Sequence, residues 1–137
     1  MAIVIDASVA MKWVLEEVGS DLARALAAVE MMVAPEFLLV ECANVLWRQA
    51  RRKQISKDEA IAAFAALEAM PIRLVPIRPY VAAAQAIACE VGQTVYDSLY
   101  LAIALADRSV LVTADKAFCH AATAHPVYRA SVRLLGA

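Results

Sequence analysis

The chain has 137 residues, 63% of them hydrophobic, with three glycines and a formal net charge of −1. This size fits a single domain spanning residues 1–137, and the apolar content suffices for a substantial core, which argues against disorder. The near-neutral charge excludes a molecule that attracts nucleic acid through its overall field. No uncharged run reaches the ~18 residues that a membrane span needs, and no basic signal-peptide region opens the chain, so we expect a cytoplasmic protein without a membrane partner.

The three cysteines do not suggest a disulfide framework or a zinc site. Cys42, Cys89 and Cys119 are far apart in the chain, and no CxxC pair occurs. Cys119 is close in sequence to His120 and His125, but this spacing matches no zinc pattern. Loop or surface positions are the better interpretation of that small group.

The first half of the chain opens with a short strand and continues as a series of helices. Residues 3–5 are β-branched and fully apolar, which is typical of a buried parallel strand. Asp6 or Ser8 can cap the helix that follows, and Ser56 with Glu59 forms the capping-box pattern of a later helix. The predicted helices span residues 6–17, 21–31, 35–53 and 56–70.

The second half inserts further strands between helices. Pro71 ends the preceding helix, and Gly92 ends another. Strands are predicted at residues 72–75, 110–112 and 132–135, and helices at 79–91, at 97–107 and from 115 onward. Short apolar strands alternating with helices predict an α/β fold. We expect a three-layer α/β/α sandwich around a central, mainly parallel sheet of about four or five short strands.

Two aspartates lie just after predicted strands, one immediately and the other with two residues between. Asp6 comes after the strand at residues 3–5, and Asp115 follows the strand at 110–112. Because the carboxyl ends of parallel strands meet at one edge of a sheet, these two side chains can converge there. Asp97 begins a predicted helix. Each of the three aspartates is, taken singly, equally well explained as a helix N-cap.

Glu41 lies inside the predicted helix 35–53, on a polar stripe with Asn44 and Arg48. The opposite face is apolar. On this segment alone, an ordinary solvated helix face with a Glu-to-Arg pair is favoured. The alternative is a stripe that faces a polar cleft, with Asn44 orienting the Glu41 carboxylate.

A shared cleft for four carboxylates would need a positive charge. Carboxylates that lie so near each other repel, and each raises the pKa of the others unless a cation lies between them. Oxygen ligands without a His/Cys cluster favour Mg²⁺ or Mn²⁺ over zinc. Such an ion can activate a water molecule and stabilise in-line displacement at phosphorus. No nucleophilic Ser–His or Cys–His pair and no P-loop is evident in the sequence.

Four sequence blocks carry a resemblance to a known family. They span residues 4–17, 35–47, 96–104 and 111–118, and they read VIDASVAMKWVLEE, PEFLLVECANVLW, YDSLYLAIA and LVTADKAF. In this order they resemble the PIN-domain family, and especially its VapC-type toxins of prokaryotic toxin–antitoxin systems. The similarity runs from the N-terminus to the closing Val-Arg-Leu-Leu, so it covers nearly the whole chain.

The resemblance implies a role for seven polar residues. The family's acidic quartet, which binds one or two Mg²⁺ or Mn²⁺ ions, corresponds to Asp6, Glu41, Asp97 and Asp115. Asp6 and Asp97 are the firmest metal ligands, Glu41 completes the site, and Asp115 acts through water or at a second metal. Thr113 matches a hydroxyl position that can hold a water or a phosphate. Ser8 and Asn44 match supporting polar positions, although a helix cap and a surface amide explain them equally well.

The resemblance further implies an endoribonuclease that hydrolyses RNA phosphodiesters, forms a homodimer and is neutralised by a small antitoxin encoded alongside. We expect the antitoxin to cover an apolar groove near the first helices. For RNA contact we name Lys12, Arg48, Arg51 and Arg52, although a basic run at a helix end is usually just solvated. Two alternatives stay open: a PIN-like interaction module without catalysis, and a structure-specific DNA nuclease.

Overall fold

Strands and helices alternate along the chain in the computed structural model, which describes residues 2–137. The strands are β1 (Ala2–Ile5), β2 (Met31–Pro35), β3 (Ile72–Val75), β4 (Val110–Thr113) and β5 (Val132–Leu134). The helices are α1 (Ala7–Val14), α2 (Ser20–Val29), α3 (Phe37–Arg51), α4 (Lys57–Glu68), α5 (Val81–Val91), α6 (Val95–Ala106) and α7 (Lys116–Thr123). Two short 3-10 helices cover Arg78–Tyr80 and Arg129–Ser131.

The five strands form one sheet in the order β3-β2-β1-β4-β5, and every neighbouring pair is parallel. The central strand β1 pairs Val4 with Val33 of β2 on one side and with Leu111 of β4 on the other. Helices flank this sheet, so the predicted α/β class and the parallel sheet are confirmed. Because all strands are parallel, they end at the same edge, and Asp6 and Glu36, which follow β1 and β2, lie at that edge.

The core surrounds this sheet, and α6 is its most buried helix. Every residue from Ser98 to Ala104 is buried, and α6 packs against β1, β2 and β4. A helix that is apolar around most of its circumference is stable only where neighbours cover it. None of the helices in residues 2–137 combines the length and the apolarity that crossing a membrane requires.

Strand β2 is the element that the sequence analysis missed. Met31–Pro35 pairs with both β1 and β3, whereas a helix ending at residue 31 and another starting at Pro35 were predicted. The run is too short to show a period, and Pro35 ends the strand instead of opening helix α3. The capping box was predicted correctly: the Ser56 hydroxyl accepts from the Glu59 N–H, and the Glu59 carboxylate accepts from the Ser56 N–H.

Trp13 joins α1 to α2 through its indole nitrogen. Its N–H donates to the Ala23 carbonyl oxygen at 2.7 Å, and both residues are buried. We expect Trp13→Phe to lower the free energy of unfolding by about 1.5 kcal/mol, because a buried hydrogen bond and some packing are lost. Urea denaturation measures this. The matched change Trp47→Phe at an exposed tryptophan should cost less than about 0.5 kcal/mol, and equal losses would contradict the role given to Trp13.

Candidate functional site

The carboxyl edge of the sheet brings together residues from distant parts of the sequence. Asp6 follows β1 directly, and Thr113 is the last residue of the neighbouring strand β4. Ile5 pairs with Val112 in the sheet register, so the residues that follow them are also neighbours. This is where parallel α/β folds form their sites.

Asp6 is held by three hydrogen bonds. Its Oδ1 accepts from the Ser8 hydroxyl at 2.5 Å and from the Val9 N–H at 3.2 Å, and its Oδ2 accepts from the Thr113 hydroxyl at 2.5 Å. The Ser8 hydroxyl oxygen in turn accepts from the Ala114 N–H at 2.8 Å. Asp6 is therefore the N-cap of α1 and also the centre of a network that joins β1, α1 and β4.

The surroundings of Asp6 disfavour its ionised form. Burial raises the pKa of its carboxyl from 3.8 to about 6, and the negative charge of Asp97 adds to this. The hydrogen bonds from Ser8, Thr113 and Val9 oppose the shift without cancelling it. A carboxylate in such a position is stabilised by any cation that reaches it.

Glu41 extends from α3 toward the same region. Its Oε1 accepts from the hydroxyl of Tyr100, on α6, at 2.6 Å. Burial raises the pKa of Glu41, and the charges of Asp97 and Asp6 raise it further, while the Tyr100 hydrogen bond lowers it. Glu41 is therefore half-buried and bonded to α6, in place of the solvated position that its segment alone favoured.

Asp97 lies in the first turn of α6, but it is not the N-cap. Thr94 is the cap, because its hydroxyl oxygen accepts from the Asp97 N–H at 3.1 Å. The same hydroxyl donates to Asp97 Oδ2 at 3.0 Å. Burial raises the pKa of Asp97, with a smaller contribution from the charge of Asp115. The prediction that Asp97 begins the helix was two residues late.

Asp115 caps α7 and lies beside the Asp6 network. Its Oδ1 accepts from the Phe118 N–H at 3.0 Å, and its own N–H donates to the Thr113 hydroxyl oxygen at 3.0 Å. Thr113 is fully buried and contacts both aspartates, one through its hydroxyl proton and the other through its oxygen. A single threonine thus couples Asp6 to the loop that carries Asp115.

Two open clefts meet at Glu41. The larger, of about 390 Å³, is lined by Phe37, Val40, Glu41, Asn44, Val45, Arg48, Thr94, Tyr96 and Asp97. The other, of about 340 Å³, is lined by Ala7, Ser8, Met11, Lys12, Glu17, Glu41, Val45, Gln49 and Ala114. Asn44 and Arg48 thus share a cleft with two of the four carboxylates. The hydrogen bond to Glu41 comes from Tyr100 and not from Asn44, which the alternative interpretation of the sequence had named.

The donors at this edge suit a hard divalent cation, because they are oxygens only. As the side chains stand, no three His, Cys, Asp or Glu residues among those described are grouped closely enough to hold one. Each of Asp6, Glu41 and Asp97 is instead bonded to a hydroxyl group. Mutual repulsion keeps the carboxylates apart in these separate contacts, whereas a cation between them would favour their approach.

The basic candidates occupy different positions. Arg48 lines the larger cleft, whereas the Arg51 guanidinium lies 5.6 Å from the ring centre of Trp47 and Arg52 follows the end of α3. Lys12 borders the smaller cleft, but its Nζ is 2.6 Å from the Val18 carbonyl oxygen and 3.3 Å from Glu17 Oε1. Of these four residues, only Arg48 shares a cleft with Glu41 and Asp97.

The sequence analysis overlooked Tyr100 and Thr94. Tyr100 follows Asp97 by three residues, a spacing that places both on one side of a helix. That spacing was the available signal, but Tyr100 also fits an apolar helix pattern. Thr94 precedes Asp97 by three residues, which is the spacing of a cap and its reciprocal partner.

Comparison with known proteins finds the same family resemblance over most of the chain. Residues 3–124 match the sequence profile of the PIN domain. The chain is 32% identical over 120 residues to Ribonuclease VapC3 of Pyrobaculum aerophilum. The aligned region covers 85% of this chain and 91% of that protein.

Solved structures share the fold at lower identity. PAE2754 from Pyrobaculum aerophilum superposes with a TM-score of 0.71 at 21% identity, covering 88% of this chain and 79% of that one. VapC20 of Mycobacterium tuberculosis, a Sarcin-Ricin loop cleaving toxin, has a TM-score of 0.68 at 16% identity, covering 87% and 94%. VapBC2 from Rickettsia felis, bound to a promoter DNA fragment, has a TM-score of 0.64 at 13% identity, covering 98% of both chains. The chain therefore belongs to the PIN-domain family, with VapC-type proteins as its relatives.

Proposed function

We propose that the chain is a Mg²⁺- or Mn²⁺-dependent endoribonuclease and the toxin of a toxin–antitoxin pair. One observation carries the proposal: Asp6, Glu41 and Asp97 converge on the carboxyl edge of the sheet, and the pKa of each is raised. Perturbed carboxyls beside an open polar cleft are typical of a functional site. Structural ion pairs do not explain them, because the hydrogen-bond partners of these carboxylates are hydroxyl groups and backbone N–H groups.

Asp6, Asp97 and Glu41 are the residues that would hold the cation, with Asp115 next to them. A bound divalent ion supplies an activated water and stabilises charge during in-line displacement at phosphorus. The Ser8 and Thr113 hydroxyls fix both oxygens of Asp6, so that carboxylate presents a defined orientation. The open clefts on either side of Glu41 leave space for a phosphodiester backbone.

RNA is the substrate that the relatives favour. VapC3 is named a ribonuclease, and the Mycobacterium tuberculosis neighbour is a Sarcin-Ricin loop cleaving toxin. Arg48, which lines the larger cleft, is suited to a phosphate group because its guanidinium can donate two parallel hydrogen bonds. Attack by water, in place of the RNA 2′-hydroxyl, predicts products with 5′-phosphate and 3′-hydroxyl ends.

The test is cleavage of total RNA by the purified protein with Mg²⁺, followed by mapping of the ends. We expect 5′-phosphate and 3′-hydroxyl termini at a limited set of sites. Cyclic phosphate ends would contradict attack by water. Single-stranded DNA is assayed in parallel to test the DNA-nuclease alternative. Cleavage of DNA in preference to RNA would identify the protein as a DNA nuclease and not a ribonuclease. Absence of any cleavage would favour an interaction module.

We also propose an antitoxin partner and a homodimer, by likeness to the VapC-type relatives. An apolar groove of about 320 Å³ between α3 and α4 is lined by Ala43, Leu46, Trp47, Ala50, Lys57, Ala60, Ile61 and Phe64. Trp47 and Ile61 are more than half exposed there. An apolar surface of this kind suits an amphipathic helix. A short adjacent reading frame whose product binds and inhibits this protein would support the pairing.

A further inference from the structure

We infer that Tyr100 is a positioning residue of the site: its hydroxyl fixes the orientation of Glu41, a side chain that would hold the divalent cation. The inference rests on the proposed function, because it concerns how the same site binds its metal.

The geometry of the pair is that of a strong hydrogen bond. The Tyr100 hydroxyl lies 2.6 Å from Glu41 Oε1, and the two residues are 59 positions apart in the chain. Tyr100 is only 1% exposed, so its ring is fixed by the surrounding core. It lies one helical turn after Asp97 on α6. The hydroxyl therefore ties Glu41 of α3 to the helix that carries Asp97.

Glu41 needs such a restraint more than the aspartates do. A glutamate side chain has one more rotatable bond than an aspartate, and ordering it costs more conformational entropy. Among the described residues, the side-chain donor to Glu41 is Tyr100, and it occupies Oε1. Oε2 accepts no side-chain hydrogen bond from the described residues, so it would be available to a cation. Hydroxyl groups of Ser8 and Thr113 restrain Asp6 in the same manner, and Thr94 restrains Asp97.

The chain contains a matched pair outside the site. The Tyr128 hydroxyl donates to Glu90 Oε2 at 2.9 Å, and Tyr128 is 7% exposed. Glu90 also contacts His125 Nε2 at 2.9 Å, away from both clefts that adjoin Glu41. Tyr128→Phe removes a partly buried tyrosine–glutamate hydrogen bond, whose glutamate side chain is 46% exposed. It therefore controls for the purely structural effect of losing a hydroxyl.

The experiment measures Mn²⁺ dissociation constants by electron paramagnetic resonance for the wild type, Tyr100→Phe and Tyr128→Phe, with urea denaturation of each. Removing the group that orients a metal ligand typically weakens binding about 10- to 100-fold. We expect at least a roughly tenfold loss for Tyr100→Phe and an unchanged constant for Tyr128→Phe. If Tyr100→Phe bound Mn²⁺ with wild-type affinity, this inference would be overturned while the proposed function would stand. Absence of Mn²⁺ binding by the wild type would overturn the proposed function and this inference with it.

A second background tests whether Tyr100 acts through Glu41. In Glu41→Gln, the ligand that Tyr100 positions has lost its charge, so adding Tyr100→Phe should change the Mn²⁺ dissociation constant no further. A second loss as large as that in the wild-type background would show that the tyrosine acts on the site independently, and it would overturn the role proposed here. This non-additivity is a readout that a structural contribution to folding does not produce.

Discussion

Replacing Asp97 with asparagine is expected to lower RNA cleavage on the order of 10³-fold while the fold is retained. The change removes one negative charge from the proposed metal site without changing side-chain volume. Several kcal/mol of transition-state stabilisation depend on a metal in this chemistry, and about 4 kcal/mol corresponds to roughly a thousandfold in rate. The start of α6 should persist, because the Thr94 hydroxyl oxygen accepts from the backbone N–H of position 97.

The same helix offers a matched control. Asp107 follows the last turn of α6 at the opposite end from Asp97, where it lies 3.8 Å from Arg73. Asp107→Asn should cleave RNA at the wild-type rate. Both variants are assayed with Mg²⁺, with EDTA, and with Mg²⁺ restored after EDTA. Full activity of Asp97→Asn, or of the wild type in EDTA, would overturn the metal-dependent assignment.

The fold and the positions of Asp6 and Asp115 were accessible from sequence for the same reason, whereas Glu41 and Asp97 were assigned through the family resemblance. Three-residue apolar runs such as that ending at Ile5 have few structural solutions, and parallel strands that end at one edge dictate where the following residues lie. Asp6 and Asp115 could therefore be placed together without coordinates. Strand β2 escaped prediction because its five residues, Met31–Pro35, carry no period that distinguishes them from the end of a helix.

Contacts between distant segments could not be predicted from any local pattern. The partner of Glu41 is a tyrosine 59 residues away that looks, within its own helix, like an ordinary core residue. Local reasoning favoured a solvated helix face and offered Asn44, the polar neighbour at helical spacing, as the orienting residue only in its alternative interpretation. Which of two candidates reaches a carboxylate depends on how α3 and α6 pack, and that is decided by the whole core.

At two positions, a helix-cap role does not exclude a place in the candidate site. Asp6 caps α1 and Asp115 caps α7, and both lie at the candidate site. One carboxylate oxygen satisfies the backbone of the first helical turn, and the second oxygen is left for other partners. Helices that start at the carboxyl edge of a sheet place their capping residues at that edge. The cap positions are therefore among the first to examine for ligands.

Replacing Asp6 with asparagine should stabilise the metal-free protein at neutral pH. The folded pKa of Asp6, about 6, is above its ordinary value of 3.8, so the folded state binds the proton more tightly than the unfolded state. The stability that this proton contributes is complete below pH 3.8 and is lost as the pH rises through about 6. Above that range the ionised carboxylate costs at most about 3 kcal/mol. Asparagine keeps the N-cap without this cost, and allowing for one weakened hydroxyl contact we expect a gain of about 2 kcal/mol.

Urea denaturation of both proteins in EDTA across pH 4 to 8 measures this as the difference in the free energy of unfolding. The advantage of Asp6→Asn should be smallest at the acidic end and reach its plateau above about pH 6, the folded pKa. Saturating Mg²⁺ at pH 7.5 should then reverse the order. At 100 times its dissociation constant a ligand stabilises the folded state by about 2.7 kcal/mol, and only the wild type retains the Asp6 charge. A wild type that is more stable than Asp6→Asn in EDTA at every pH would show that the hydroxyl network outweighs burial of the charge. If the wild type had the same free energy of unfolding with and without Mg²⁺, the Asp6 carboxylate would not bind a cation.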